Sequence, residues 1–427
     1  QDVVRGYGSA TKLASYSTDE ENDSGGATWG GYGYQSAATS DGFTMVAGST
    51  PGQNNKTGNN YASWNWSAAG TAPSKTYTVK VVSDSGNKYR FDDFGTSAIT
   101  LELSEGGTFR FDQSDSSNSG HPLRFSTTSD GTHNSGTEYT TGVTTNGTPG
   151  SSGAYTEITV AASAPTLYYY CSVHSGMGGQ ANTPTTNSFT NVDGTIQANI
   201  SPNTTSGFSI VSYTGTGANA SIGHGLGVAP AMYIVKNRDA VQEWSVYHQG
   251  IGATKYLDLN DTGTATTFNL WQDTAPTSSV FTVVNHARVN SSGNKYIAYC
   301  FSEVKGFSKF GSYTGVLSAA GEALGSPFVY TGFKPAMVIL KSSSHVENWF
   351  LKDAKRDTFN YQTTGLYPNI TSADGTGYNN GGVDFYSNGF AINYGTGDIG
   401  SSGKEYIYMA FAENPLVTSG GTPATAR

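Results

Sequence analysis

Apolar side chains recur along this chain in short runs, separated by stretches rich in Gly, Ser, Asn and Thr. Within the runs the alternation has a period of two. Met337, Ile339 and Lys341 alternate with Val338 and Leu340, so the run is apolar on both faces. The run Tyr406-Ile407-Tyr408-Met409-Ala410-Phe411 is similar. Such runs suit central strands of a sandwich. Pro230 and Pro335 stand just ahead of two of them, where a missing N–H costs least. Helix-length runs of Ala, Leu, Glu, Lys and Arg are almost lacking. The pattern predicts an all-β chain of tandem β-sandwich or jelly-roll-like modules with negligible helix.

The runs also repeat as blocks. GFSIVSYTG (207–215) matches GFSKFGSYTG (306–315), and GVAPAMYIVKNRDAVQEW (227–244) matches GFKPAMVILKSSSHVENW (332–349). SSGNKYIAYCF (291–301) matches SSGKEYIYMAF (401–411). Three blocks in the same order define two copies of one module. DGFTMVAG (41–48) and TGNNYASWNW (57–66) match only the second half of that module. The expected organisation is a partial copy at 1–72, a different segment at 73–184, copy 1 at 185–305, copy 2 at 306–416 and a tail at 417–427. The stretch 69–73 reads as a linker into the second of these.

Composition narrows the function. The chain has 427 residues, of which only 13% are charged, and its net charge is −9. It has no basic block, so nucleic acid is not an expected partner. No apolar run has transmembrane length, so membrane insertion is not expected either. The first residue is Gln1, which fits a processed terminus or a piece of a longer chain. Two cysteines, Cys171 and Cys300, make no disulfide framework. Neither a Gly-x-Ser-x-Gly elbow nor a phosphate-binding loop occurs. The Gly-rich stretch 215–230 lacks the Lys and Ser/Thr of such a loop and reads as surface. Histidines 224, 248, 286 and 345 are scattered. The chain is therefore not expected to be an enzyme.

Two places carry candidate chemistry. In the 73–184 segment, LYYYCSVHSGMGG (167–179) sets Cys171, His174 and Met177 on one loop after an aromatic run. FDQSDSSNSGHPLRF (111–125) sets His121 before another run. Two imidazoles, a thiolate and a thioether form the ligand set of a type 1 copper centre, so copper is the candidate cofactor and His133 a reserve ligand. The alternative is a sandwich without metal, with Cys171 a small buried residue and the histidines hydrogen-bonded. The second place is the pair Trp244 and Trp349, equivalent in the two copies. They could form a sugar-binding platform, or they could be core aromatics of the module; matched placement favours the core.

The 73–184 segment resembles the cupredoxins, in which one His precedes a strand and a later loop supplies Cys, His and Met. The resemblance implies a Greek-key sandwich. Its departure is the short spacing of two residues between His174 and Met177. The repeat blocks resemble those of tail-fibre-like and structural proteins of marine bacteriophages. That likeness runs from about residue 41 to 416. It implies a virion surface location, host attachment through a cell-surface receptor or glycan, contacts with other virion proteins, and a homo-oligomer, expected to be a trimer. Two rival readings are a bacterial extracellular adhesin or filament subunit, and a copper-binding electron-transfer protein on a β scaffold.

Overall fold

The computed structural model describes residues 1–8, 11–21, 29–39, 42–49, 54–68, 73–316, 327–360, 362, 364–373, 382–394 and 399–414. The tail expected at 417–427, and all of the 69–73 linker but Pro73, lie outside the described residues. Strands dominate, and the helical content of the described residues is three short 3-10 turns. The chain is all-β, as its period-two patterning predicts. None of its helices is long and apolar enough to cross a membrane, among the described residues.

Strands β1 (Tyr34–Ala38) and β2 (Phe43–Val46) form an N-terminal hairpin. The next nine strands form a two-sheet sandwich. They are β3 (Ser74–Ser83), β4 (Asn87–Phe91), β5 (Leu101–Glu102), β6 (Thr108–Asp112), β7 (Leu123–Ser126), β8 (Val143–Asn146), β9 (Tyr155–Thr159), β10 (Leu167–Cys171) and β11 (Gly179–Asn182). One sheet has the order β4-β3-β6-β9-β8 and the other β5-β11-β10-β7. The pairs β3/β6 and β5/β11 are parallel and the remaining pairs antiparallel. Alternate residues turn Tyr77, Phe91, Phe109 and Phe111 inward against Leu123, Phe125 and Tyr169 of the facing sheet. Their rings pack at 5.1–5.8 Å, stacked, tilted or edge-on, as ring quadrupoles favour.

The same core runs on into the first repeat copy. Tyr77 Oη donates to the Thr190 carbonyl at 2.7 Å, and Phe109 meets Phe189 at 6.3 Å. Copy 1 holds β12 (Phe189–Asn191), β13 (Ala198–Asn203), β14 (Phe208–Thr214), β15 (Ala220–Gly223), β16 (Met232–Asn237), β17 (Ser245–His248), β18 (Lys255–Asp258), β19 (Thr266–Thr267), β20 (Val280–Val283) and β21 (Lys295–Phe301). Copy 2 holds β22 (Ser308–Thr314), β23 (Phe328–Tyr330), β24 (Pro335–Ser342), β25 (Phe350–Asp353), β26 (Gly382–Tyr386), β27 (Gly389–Tyr394) and β28 (Glu405–Ala412). The order β14-β21-β16-β17 in one copy recurs as β22-β28-β24-β25 in the other. A small second sheet, β15-β20 or β23-β27-β26, covers one face of each. Equivalent tyrosine pairs stack in both, Tyr213 on Tyr296 at 5.2 Å and Tyr313 on Tyr406 at 5.0 Å.

One expectation is corrected in copy 1. The Gly-rich stretch 215–230 is not a surface loop throughout. It contributes β15 to the small sheet, and Ile222, Gly223 and His224 are buried. Gly223 fits there because a Cβ would stand 1.8 Å from the Asn191 side chain.

The central strands are apolar on both faces because each large sheet is covered twice. Val211, Tyr233 and Ala298 face the small sheet of copy 1, whereas Ile210, Met232 and Phe301 face copy 2. Phe310, Met337, Met409 and Phe411 come from copy 2 to meet them. Trp64 and Trp66 of the N-terminal segment complete this shared core. Trp66, Phe301 and Phe411 occupy matching positions of the three closing segments. Their ring centroids form a near-equilateral triangle with sides of 5.8, 5.8 and 6.4 Å. The three segments therefore meet around a local quasi-threefold axis.

Candidate metal centre

β10 delivers Cys171 to the sandwich interior as its last residue, paired with Leu123 of β7. His121 stands two residues ahead of β7, across Pro122, and so comes beside Cys171. The His121 backbone is held from three sides. Its carbonyl accepts from Tyr89 Oη and from Gln113 Nε2, both at 2.8 Å, and its N–H donates to the Asn118 carbonyl at 2.8 Å. His174 follows Cys171 in the turn that leads to Met177.

That turn is fixed at its far side by Asp130. Its carboxylate accepts from Ser175 Oγ at 2.5 Å and from the Gly176 N–H at 2.9 Å. Lys88 Nζ donates to the Gly176 carbonyl, and the Tyr89 N–H donates to the Met177 carbonyl at 3.0 Å. The chain then passes so close to β10 that a Cβ on Gly178 would lie 1.7 Å from the Tyr169 carbonyl oxygen. Any side chain there would push the loop away. Asp130 lies in sequence far from the loop it anchors, and no local motif marks it.

The result is a cluster. Cys171 Sγ is 3.9 Å from His121 Nδ1 and 3.7 Å from His174 Nδ1, and one ligand atom from each of the three residues lies within 4.8 Å of the others. A trigonal ion with bonds of about 2.3 Å to sulfur and about 2.0 Å to nitrogen would hold those atoms about 3.7 Å apart. The donor set and spacing therefore fit a soft or borderline metal. Met177 is 1% exposed and belongs to the same packed cluster as Cys171. Burial, then the neighbouring His174, lowers the His121 pKa, which favours the neutral imidazole that binds metal. Cys171 is buried, His121 partly buried and His174 exposed, so the site opens to solvent on one histidine.

One other expectation is corrected, and the sugar-platform alternative is overturned in favour of the core reading. His133 is not a reserve ligand, because its Nε2 lies 2.9 Å from the Cys171 carbonyl oxygen rather than beside the sulfur. Trp244 and Trp349 cannot offer their faces to a sugar. They are 6% and 2% exposed and sit in the core between the copies. Each backbone N–H donates to an asparagine, Asn260 Oδ1 at 2.9 Å and Asn369 Oδ1 at 3.0 Å. Each indole donates to a backbone carbonyl, and satisfying that N–H is what permits such burial.

A family model described as a domain of unknown function (DUF7483) matches residues 117–415. The chain belongs to this family. The match takes in His121, Cys171, His174, all of copy 1 and copy 2 up to residue 415. No curated protein and no solved structure matches the chain.

Proposed function

We propose that this chain is a structural protein of a virion surface appendage, a tail fibre or related part, that takes part in host attachment. The observation that carries the reading is how the repeat copies spend their chemistry. Their tryptophans hold the copies to one another around a shared core, and their stacked tyrosines pack inside each copy. The repeat blocks resemble those of marine phage structural proteins. Its partners on this reading are itself, as a homotrimer, other virion proteins and a receptor or glycan on the host surface. Gold-labelled antibody against this chain should decorate appendages of purified particles. Label confined to filaments or the surface of uninfected bacteria would instead support an adhesin.

A second activity is favoured by the His121, Cys171 and His174 cluster. We propose that the 73–184 sandwich is cupredoxin-like and that His121, Cys171 and His174, with Met177, would hold copper there. Bound copper would supply one-electron redox chemistry, and the chain's residues would hold it and exclude water from the Cys171 side. Cu(II) titration should give a thiolate-to-copper charge-transfer band that Cys171→Ser lacks. Asp130→Ala, which frees the ligand loop, should weaken binding roughly 10-fold or more while keeping the band. Binding of Zn(II) with no such band from Cu(II) would reject the redox reading and leave a structural metal. No uptake of either metal would reject the site.

A further inference from the structure

The N-terminal segment, copy 1 and copy 2 touch head to tail, and the same contacts recur. Trp244 of copy 1 donates from Nε1 to the Ala14 carbonyl of the N-terminal segment at 3.0 Å. Trp349 of copy 2 donates in the same way to the Asp258 carbonyl of copy 1 at 2.8 Å. Lys236 Nζ reaches the Thr18 carbonyl at 3.0 Å, and Lys341 Nζ reaches the Thr262 carbonyl at 3.2 Å. The backbone N–H groups of Gln242 and Glu347 donate to these same two threonine carbonyls, at 3.0 and 2.9 Å. In each contact the opening half of one copy, with its Lys and Trp, grips the closing half of the copy before it.

The N-terminal segment corresponds to a closing half. Asp2 Oδ1 accepts from the N–H groups of Val4 and Arg5, and Arg5 Nε pairs with Asp2 Oδ2 at 2.5 Å. Asp353 and Arg356 repeat that turn in copy 2, bond for bond. Thr18 and Thr262 are equivalent acceptors, and Leu257 and Leu366 pair with the equivalent residues Val246 and Leu351. A Leu stands five residues before the Thr in each segment, Leu13, Leu257 and Leu366, so Thr371 matches Thr262 and Thr18. The third grip surface of the ring is accordingly Tyr367–Thr371 of copy 2.

That surface rims a cavity of about 1080 Å³. Its wall includes Tyr299, Ile339 and Met409 of the shared core and part of the N-terminal segment, whose Ser15 Oγ donates to the Pro368 carbonyl at 2.7 Å. The volume lies just above the roughly 300–1,000 Å³ span of small-molecule pockets. The wall is largely apolar, and it continues the interface that the other two copies already form.

We propose that this cavity is the docking site for the opening half of a third copy of the repeat. The occupant is a polypeptide with two apolar strands like β22 and β24, a lysine at the end of the second strand and a tryptophan eight residues beyond it. Its tryptophan would donate to the Tyr367 carbonyl and its lysine to the Thr371 carbonyl. Its strands would flank residues 57–66, which hold the closing-strand position without forming a strand.

The register gives the test. Because Asp353 matches Asp2, a duplicate of residues 306–351 fused directly ahead of Gln1 places the opening half in phase. This fusion should melt about 5 °C or more above the unfused chain, and Trp64 and Trp66 should be better shielded from acrylamide. Trp349→Ala together with Lys341→Met in the duplicate alone should remove most of that gain. A fusion no more stable than one carrying the duplicate in scrambled order would overturn the proposal. In trans, a peptide of residues 332–349 should displace an apolar dye from the unmodified chain. Equal displacement by its scrambled or Trp349→Ala version would show a cavity that takes apolar matter at large, and would also overturn it.

Discussion

His248 and Asp353 occupy the same position in the two copies, opposite Met232 and Met337 of the neighbouring strands. Asp353 is tied to Arg356. His248 is instead fully buried and neutral, with Nε2–H donating to the Tyr408 carbonyl at 3.1 Å and Nδ1 accepting from the Gly250 N–H at 3.0 Å. Burial pushes its pKa down to about 4. The unfolded chain, with an ordinary histidine near 6.5, takes up the proton first as pH falls. The His248 contribution is therefore whole above about pH 6.5 and is lost between there and about pH 4, amounting to about 3 kcal/mol. Burial also raises the Asp258 pKa to about 6, which acts in the opposite direction over the same window. The comparison that isolates the histidine is a His248→Gln variant. Urea unfolding at pH 7 and at pH 5 should show the wild type losing more stability on acidification than the variant. Equal losses would mean that His248 does not titrate as its burial requires.

At the scale of elements, what the sequence reveals depends on how local the cause is. Strand character was legible because side-chain alternation is a property of the strand itself. The apolar stretch of β24 announced a strand covered twice, but not what covers its second face. That depends on the stacking of copy 2 on copy 1, a long-range contact that no window of residues records. The same limit applies to the tryptophans. Matched placement marked Trp244 and Trp349 as structural, yet their indole partners, Ala14 and Asp258, lie in the preceding copy. In the candidate metal centre, Cys171 and His174 were legible because one short turn carries both, and His121 because it precedes the strand paired with β10. Asp130, which fixes the ligand loop, and the true partner of His133 were not, since both act across folded distance. The Gly-rich 215–230 stretch misled for the converse reason. Small residues there make room for Asn191 and for a second sheet, a use of glycine that composition does not distinguish from a loop.

At the scale of the whole molecule, the chain already covers within itself much of what a single sandwich leaves open. The large sheets of the two copies face each other, and the N-terminal segment closes on both. What stays exposed among the described residues is apolar surface elsewhere. Phe328, Tyr330 and Tyr386 are 48%, 66% and 42% exposed on the small sheet of copy 2, and Phe328 meets Tyr386 edge-on at 6.0 Å. The small sheet of copy 1 presents Ser221 and Thr282 instead of such rings. On the reading proposed above, this group of aromatics, which the small sheet of copy 1 lacks, is the association surface. We expect it to carry the homotrimer proposed above, since three such patches meeting at an axis would bury one another and repeat weak host contacts threefold. Mass photometry at micromolar concentration should show a trimer, and Phe328→Ser with Tyr386→Ser should shift it to monomer without lowering the melting temperature by more than a few degrees. A wild-type monomer, or a trimer indifferent to both substitutions, would place association elsewhere and leave this patch without that role.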